Sequence, residues 1–340
     1  MGLFYLTDFF GGIGGGKGEN VNILITGGTG SLGKALTKDL LEHTDVRKIS
    51  IYSRDEDKHK VMAREFNTER VRHLIGDVRD LKRLKRGMTG IDYVFHCAAL
   101  KDVPMGEYNP DELKKTNIDG ALNIIEAAGE KKVKKVIAIS TDKAVEALNA
   151  YGKSKAFADS LFINANALYP ETIFSLVRYG NVAGSRGSVI PLFRELLEKG
   201  DRHTVLPITD KRMTRFWVEM GEAVRLCRVC WKYMQGGEIF ISQVPSFKIT
   251  ELVYAMSSYG DWEEIGIRAG EKIHEVMITE YDHCYKVMLD GFSFFILYPA
   301  KFWRIYHVMG EKMPHDFRYA SNTNDRWLGR KELEERLKCV

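Results

Sequence analysis

The chain has 340 residues, 44% of them apolar, and a formal net charge of only +4; it is long enough for one large domain, or a domain with a lobe, of ordinary globular composition. Lys and Arg are scattered among acids, no apolar run reaches the ~20 residues of a membrane span, and the five cysteines are scattered, which excludes a nucleic-acid stripe, a transmembrane anchor and a disulfide framework. No nucleic acid or membrane is therefore expected as a partner, and the expected location is cytoplasmic.

Residues 1–20 read as a flexible tail containing GGIGGGKG, Gly11 to Gly18. This stretch spells most of a triphosphate loop, but no Ser or Thr follows Lys17 and the next element is a strand, so no helix N-terminus meets a phosphate. From Val21 onward, apolar runs alternate with helical periods. Segments 22–26, 48–52, 71–75, 92–96, 136–140 and 173–178 read as strands. Segments 31–42, 55–67, 81–86, 111–131 and 150–168 read as helices between them. The first strands are β-branched and apolar on both faces, which suits a parallel sheet covered on both sides. The expected fold class is α/β: a Rossmann-like doubly wound parallel sheet over residues 21–180. A smaller substrate-binding lobe is expected over 181–340, where the rhythm breaks, with some later segments returning to the core sheet. Helical segment 219–234 carries Cys227-Arg-Val-Cys230. Residues i and i+3 share a helix face, so two small core residues explain this pair better than a metal or redox site. The aromatic run Phe292 to Trp303 is expected to pack on the lobe or on a sister subunit.

TGGTGSLG, Thr26 to Gly33, lies between the first strand and the first helix. Gly27, Gly30 and Gly33 allow a tight turn and a close approach of backbone to a pyrophosphate; Thr29, Ser31 and Leu32 complete the turn and open a helix with free N–H groups. About 20 residues on, where an acid would bind the ribose 2′-hydroxyl of NAD, the chain has Ser53-Arg54. A hydroxyl and a guanidinium, helped by Lys58, suit a 2′-phosphate, so the cofactor expected is NADP. Asp55 and Glu56 keep NAD open. Asp77-Val78 is placed to meet adenine, and Ala98 to Lys101 to pass the nicotinamide side. Tyr151-x-x-x-Lys155 opens a helix after the fifth strand, so both side chains share a face at the sheet end where ligands of such folds bind. A neighbouring ammonium makes a phenol a usable proton carrier.

The motifs TGGTGSLG, YSRDE, GDVRD, AALKDVP, STDKA, YGKSK, RYGNV, GSRGSV, PITDKRMTRFW, MQGGEIF and GIRAGEKIHEVMI run in order from Ile23 to Ile278. In them the chain resembles the extended short-chain dehydrogenase/reductases and, within that group, the configuration-inverting UDP-N-acetylglucosamine 4,6-dehydratases. The resemblance implies UDP-N-acetylglucosamine as substrate, NADP regenerated at each turnover, and a homo-oligomer, hexamer or dimer. It implies that hydride leaves C4 as Tyr151, aided by Thr141 and Lys155, takes the C4 hydroxyl proton. Lys143 would remove the C5 proton and Asp142 would protonate the departing C6 hydroxyl. Hydride would return to C6 and a proton to the opposite face of C5, giving UDP-2-acetamido-2,6-dideoxy-β-L-arabino-hex-4-ulose. The resemblance further implies a substrate site of Lys101, Asn181, Val182, Arg186, Gly187, Ser188, Val189, Arg212, Arg268 and Glu271, with Arg215 another cation for the diphosphate. The chain departs from the family at Glu146-Ala147-Leu148, where Asn-Pro and a β-branched residue are usual, and at Ala269, where proline is usual. A nucleotide-sugar 4-epimerase is the alternative.

Overall fold

The structure is a computed structural model that describes residues 20–185, 187–201, 203–257, 259–299 and 306–340. The expectations for residues 1–19, with their glycine stretch, and for Arg186 lie outside the described residues. A ten-stranded sheet forms the centre. Its strands are β1 (Asn22–Thr26), β2 (Lys48–Ser53), β3 (Val71–Ile75), β4 (Tyr93–His96), β5 (Lys135–Thr141), β6 (Ile173–Tyr179), β7 (Ile239–Ser242), β8 (Cys284–Leu289), β9 (Phe292–Leu297) and β10 (Glu311–Lys312). Strands β3-β2-β1-β4-β5-β6-β7 are parallel in that order, and β9, β8 and β10 continue the sheet antiparallel. The order reverses between β1 and β4, which opens a crevice at the strand ends there.

The parallel strands are buried on both faces, as their apolar runs require. One face packs Leu24, Val94, Val136 and Phe174 against helices Gly120–Glu130 and Ala150–Leu168. The other packs Ile23, Ile25, Phe95 and Phe240 against helices Ser31–His43 and Met220–Tyr233. Cys227 and Cys230 lie in this second layer, where burial pushes both thiols well up. A third cluster of Ile190, Phe193, Ile208, Trp217, Phe247 and Leu252 sits beyond the sheet. Among the described residues no helix is long and apolar enough to cross a membrane.

Two local expectations are corrected. The run from Phe292 does not pack on an outlying lobe. Its first six residues form β9 within the central sheet, with Phe294 and Phe295 buried in the layers on opposite faces. The helix expected over 111–131 is broken into Pro110–Leu113, a π-helical stretch Lys114–Asp119, and Gly120–Glu130. The wider turn accommodates buried Asn117, whose amide accepts from Leu100 N at 2.9 Å and donates to Leu100 O at 2.9 Å and Ser154 Oγ at 3.0 Å. A π-bulge of this kind re-aims one side chain at the expense of regular bonding.

Candidate active site

A single cavity of about 1180 Å³ runs from the glycine turn, past Tyr151, to Arg268. At one end Gly27 has a φ of 63°, which favours glycine, and its N–H donates to Tyr52 O at 2.8 Å. A Cβ on Gly33 would lie 2.4 Å from Gly28 O, so the first helix rests directly on the turn. Gly30 offers no capping side chain to that helix and the first turn carries no acid, so the N-terminal N–H groups face the cavity without a competing carboxylate. Thr29, Ser31 and Leu32 line the same end, and Thr29 Oγ1 donates to Ser53 Oγ at 3.1 Å.

At the neighbouring corner Asp55 caps helix Glu56–Glu65, accepting from Lys58 N at 3.0 Å, and pairs with Lys58 Nζ at 2.6 Å. The Arg54 side chain is 53% exposed and lies 3.7 Å from Asp77. Val78, Ala98 and Lys101 continue the wall toward Tyr151.

The strand β5 ends in Thr141, which caps a short 3-10 turn Asp142–Ala144. Asn149 then caps helix Ala150–Leu168 by accepting from Gly152 N at 2.7 Å, and its amide donates to Gly270 O at 2.9 Å. This brings Thr141, Lys143, Tyr151 and Lys155 to one wall. Asp142 is 1% exposed and sits behind that wall, outside the cavity lining. Thr141 Oγ1 donates to Asp142 Oδ1 at 3.0 Å. Lys143 Nζ donates to Asp142 Oδ1 at 3.2 Å and Asn181 Oδ1 at 2.8 Å. Lys155 Nζ donates to Ile139 O at 2.6 Å.

The charges in this wall are set by burial and by one another. Burial works against charge on Lys143, but Asp142 and Glu275 together outweigh it and hold the amine above its ordinary range. Burial raises Asp142, with Glu275 adding to it against the pull of Lys143. Burial pushes Tyr151 up to about 12, while Lys143 and a hydrogen bond with Thr141 pull it down. Burial lowers Lys155. A phenol and an amine on one wall, with a carboxyl bonded to that amine behind it, can move protons to and from a hydroxylated ligand.

Beyond Tyr151 the wall continues through Asn181, Val182, Gly187, Ser188 and Val189, and through Arg268 and Glu271. Arg212 is not brought to this cavity; its guanidinium closes on Asp210 at 2.6 Å. Arg215 does line it but is committed to protein, donating to Thr214 O at 2.8 Å, Ile273 O at 2.9 Å and Lys272 O at 3.0 Å. Three residues of the site escaped sequence reasoning. Lys272 Nζ donates to Val145 O and to Asp142 O, fastening the short turn from above. Glu275 faces Lys143 at 3.4 Å. Asn117 ties the β4 loop to the helix that bears Tyr151. The run GEKIHE held the first two, but only as part of a motif.

The profile of a family described as polysaccharide biosynthesis protein matches residues 23–295. The chain is 46% identical over 327 residues to a Campylobacter jejuni protein named UDP-N-acetylglucosamine 4,6-dehydratase (inverting), covering 92% of this chain and 96% of that one. It is 39% identical over 332 residues to a Rickettsia massiliae protein named UDP-glucose 4-epimerase, covering 93% and 94%. Among solved structures, Pen from Bacillus thuringiensis matches with a TM-score of 0.84 at 33% identity, covering 95% of this chain and 98% of that one.

Proposed function

The chain belongs to the polysaccharide biosynthesis protein family, and we propose that it is a UDP-N-acetylglucosamine 4,6-dehydratase that inverts C5. The observation that carries this reading is Lys143 beside Tyr151 on one cavity wall, with Asp142 bonded to Lys143. An amine base, a carboxylic acid and a phenol are what C5 deprotonation, loss of the C6 hydroxyl and C4 oxidation need. The name of the 46% identical relative supports it.

The cavity fits a nicotinamide dinucleotide, since the turn excludes a Cβ at Gly33 and the first helix leaves its N-terminus uncapped by any side chain. When bound, that cofactor would supply reversible hydride transfer beside the wall that bears Tyr151, Thr141 and Lys155. We read it as NADP. The Asp55 carboxylate is taken up by the helix cap and Lys58, which leaves the Ser53 hydroxyl and the Arg54 guanidinium for a 2′-phosphate.

Tyr151 takes the C4 hydroxyl proton, with Thr141 beside it and Lys155 one helical turn on. The ketone then acidifies C5, and Lys143 removes that proton. For this Lys143 must be neutral and Asp142 protonated. Both forms follow from the ion pair by one proton moving from Nζ to Oδ1 across 3.2 Å, with no change in net charge. Asp142 does not line the cavity, so Thr141 passes its proton on: Oγ1 gives its own proton to the leaving C6 oxygen and takes that of Asp142. Arg268 meets the diphosphate, and Lys101, Asn181, Val182, Gly187, Ser188, Val189 and Glu271 shape the sugar and nucleotide site.

The test is reaction with UDP-N-acetylglucosamine in D₂O followed by NMR of the product. A 6-deoxy-4-keto sugar of L-arabino configuration with one deuterium at C5 is expected. An epimer without C5 deuterium would overturn this reading in favour of the 4-epimerase named for the Rickettsia relative. A cytoplasmic homo-oligomer is part of the same proposal. Free thiols at all five cysteines support a reducing compartment, and exposed Leu122, Phe157 and Leu168 support self-association through helices Gly120–Glu130 and Ala150–Leu168.

A further inference from the structure

A buried carboxylate is strongly destabilising unless cations and donors surround it. Glu275 is such a group: its side chain is 4% exposed. Its backbone is pinned on both sides, N–H to Ser321 Oγ at 2.9 Å and C=O from Ser321 N at 2.8 Å. Oε1 lies 3.4 Å from Lys143 Nζ and 3.8 Å from Arg215 Nε. Oε2 is buried with no hydrogen-bond partner among the described residues. An ammonium has three protons to give. Lys143 has three acceptors around it: Asp142 Oδ1 at 3.2 Å, Asn181 Oδ1 at 2.8 Å and Glu275 Oε1 at 3.4 Å. Arg215 cannot be steering Glu275 elsewhere, because its own contacts fix it on the carbonyls of Thr214, Lys272 and Ile273.

Building on the dehydratase reading above, we propose that Glu275 is the positioning residue for Lys143. It fixes the amine at the cavity wall between Asp142 and Asn181, and its charge governs how readily that amine gives up its third proton.

The charged and titratable groups facing Lys143 are Asp142 on its own turn, Tyr151 from helix Ala150–Leu168, Arg215 from strand Thr214–Phe216, Glu275, and Lys272, whose ammonium repels that of Lys143. Glu275 itself faces Lys143, Arg215 and Lys272, which keep it ionised against its burial. Burial and Arg215 disfavour the charged amine, whereas Asp142, Glu275 and Tyr151 favour it. Removing the charge at Glu275 therefore makes Lys143 give up its proton more readily, to Asp142 or to solvent, and a C5 exchange that needs neutral lysine extends to lower pH.

Glu275→Gln keeps the shape and an acceptor oxygen but not the charge. With UDP-N-acetylglucosamine in D₂O, the pH at half-maximal C5 deuterium incorporation is expected to fall by about one unit. KM for the nucleotide sugar should stay within about twofold, since Glu275 is remote in role from diphosphate binding. A profile superimposable on the wild type overturns the proposal. Should this variant lose its fold, judged by melting and dinucleotide content, Glu275→Asp carries the test. It restores the charge one carbon short, so the wild-type pH limb with kcat lowered about tenfold is expected; an unchanged kcat overturns the proposal. A wild-type enzyme that incorporates no C5 deuterium at any pH would instead sink the dehydratase reading itself.

Discussion

Glu146 closes the short turn that carries Lys143, and its φ is 47°. A residue with a Cβ costs about 1 kcal/mol in that left-handed region, where Asn is better tolerated. Its carboxylate recovers part of this by pairing with Arg318 at 2.8 Å, an exposed contact of little worth. Glu146→Asn is expected to stabilise the protein by about 0.5–1 kcal/mol, read as a rise in melting temperature on the order of 1–3 °C. At the nucleotide corner, Arg54→Ala is expected to weaken NADP⁺ about tenfold or more, with NAD⁺ hardly affected. Equal wild-type affinities for the two dinucleotides, measured by titration, would refute the assignment of Arg54. The sequence made Lys143, Tyr151 and Lys155 legible because they lie in one short stretch at a strand end. Glu275 was illegible as a partner of Lys143, because only the tertiary fold brings that loop over the turn.

Among the elements, helix Ala150–Leu168 and the turn before it are fitted to each other at one glycine. A Cβ on Gly152 would lie 2.2 Å from Lys143 O, closer than any real contact. Gly152→Ala must therefore push the turn away from the helix. Dinucleotide binding is expected to survive while kcat falls at least about tenfold, since a displacement of about 1 Å costs that much or more; a variant of normal kcat would show the turn to be compliant. The five parallel strands that lead into this helix and the strand after it were readable as bounded apolar runs. The π-helical break at Lys114–Asp119 was not, because its cause is Asn117 reaching Leu100 and Ser154, a tertiary demand invisible to helical periodicity. Nor could the pattern of Phe292–Leu297 say which sheet it joins; a near-continuous apolar run fits a buried strand but does not name its neighbour.

For the molecule as a whole, acid stability turns partly on His96 at the end of β4. It is 3% exposed, and its Nδ1 meets Thr26 Oγ1 at 2.8 Å. Burial, and then the charge of Lys155, push its pKa down to about 3. The folded state thus binds fewer protons than the unfolded state between that value and about 6.5. Stability from this group is full above about pH 6.5 and is lost as pH falls toward 3, by up to about 1.4 kcal/mol per unit. Thermal melts at pH 7 and pH 5 are expected to show a drop for the wild type that shrinks in His96→Gln. An equal drop in both would assign the acid sensitivity to other groups.

The strands of the central sheet do not lie side by side in the order in which they are translated. Strands β1 to β6 leave the ribosome first and already contain the glycine turn, Lys143 and Tyr151, with β6 as a bare edge. The edge is covered only when β7 and then β9 arrive, and Glu275 arrives between those two. A nascent chain thus holds the glycine turn and the Lys143–Tyr151 wall before it holds Glu275, the residue proposed above to position Lys143.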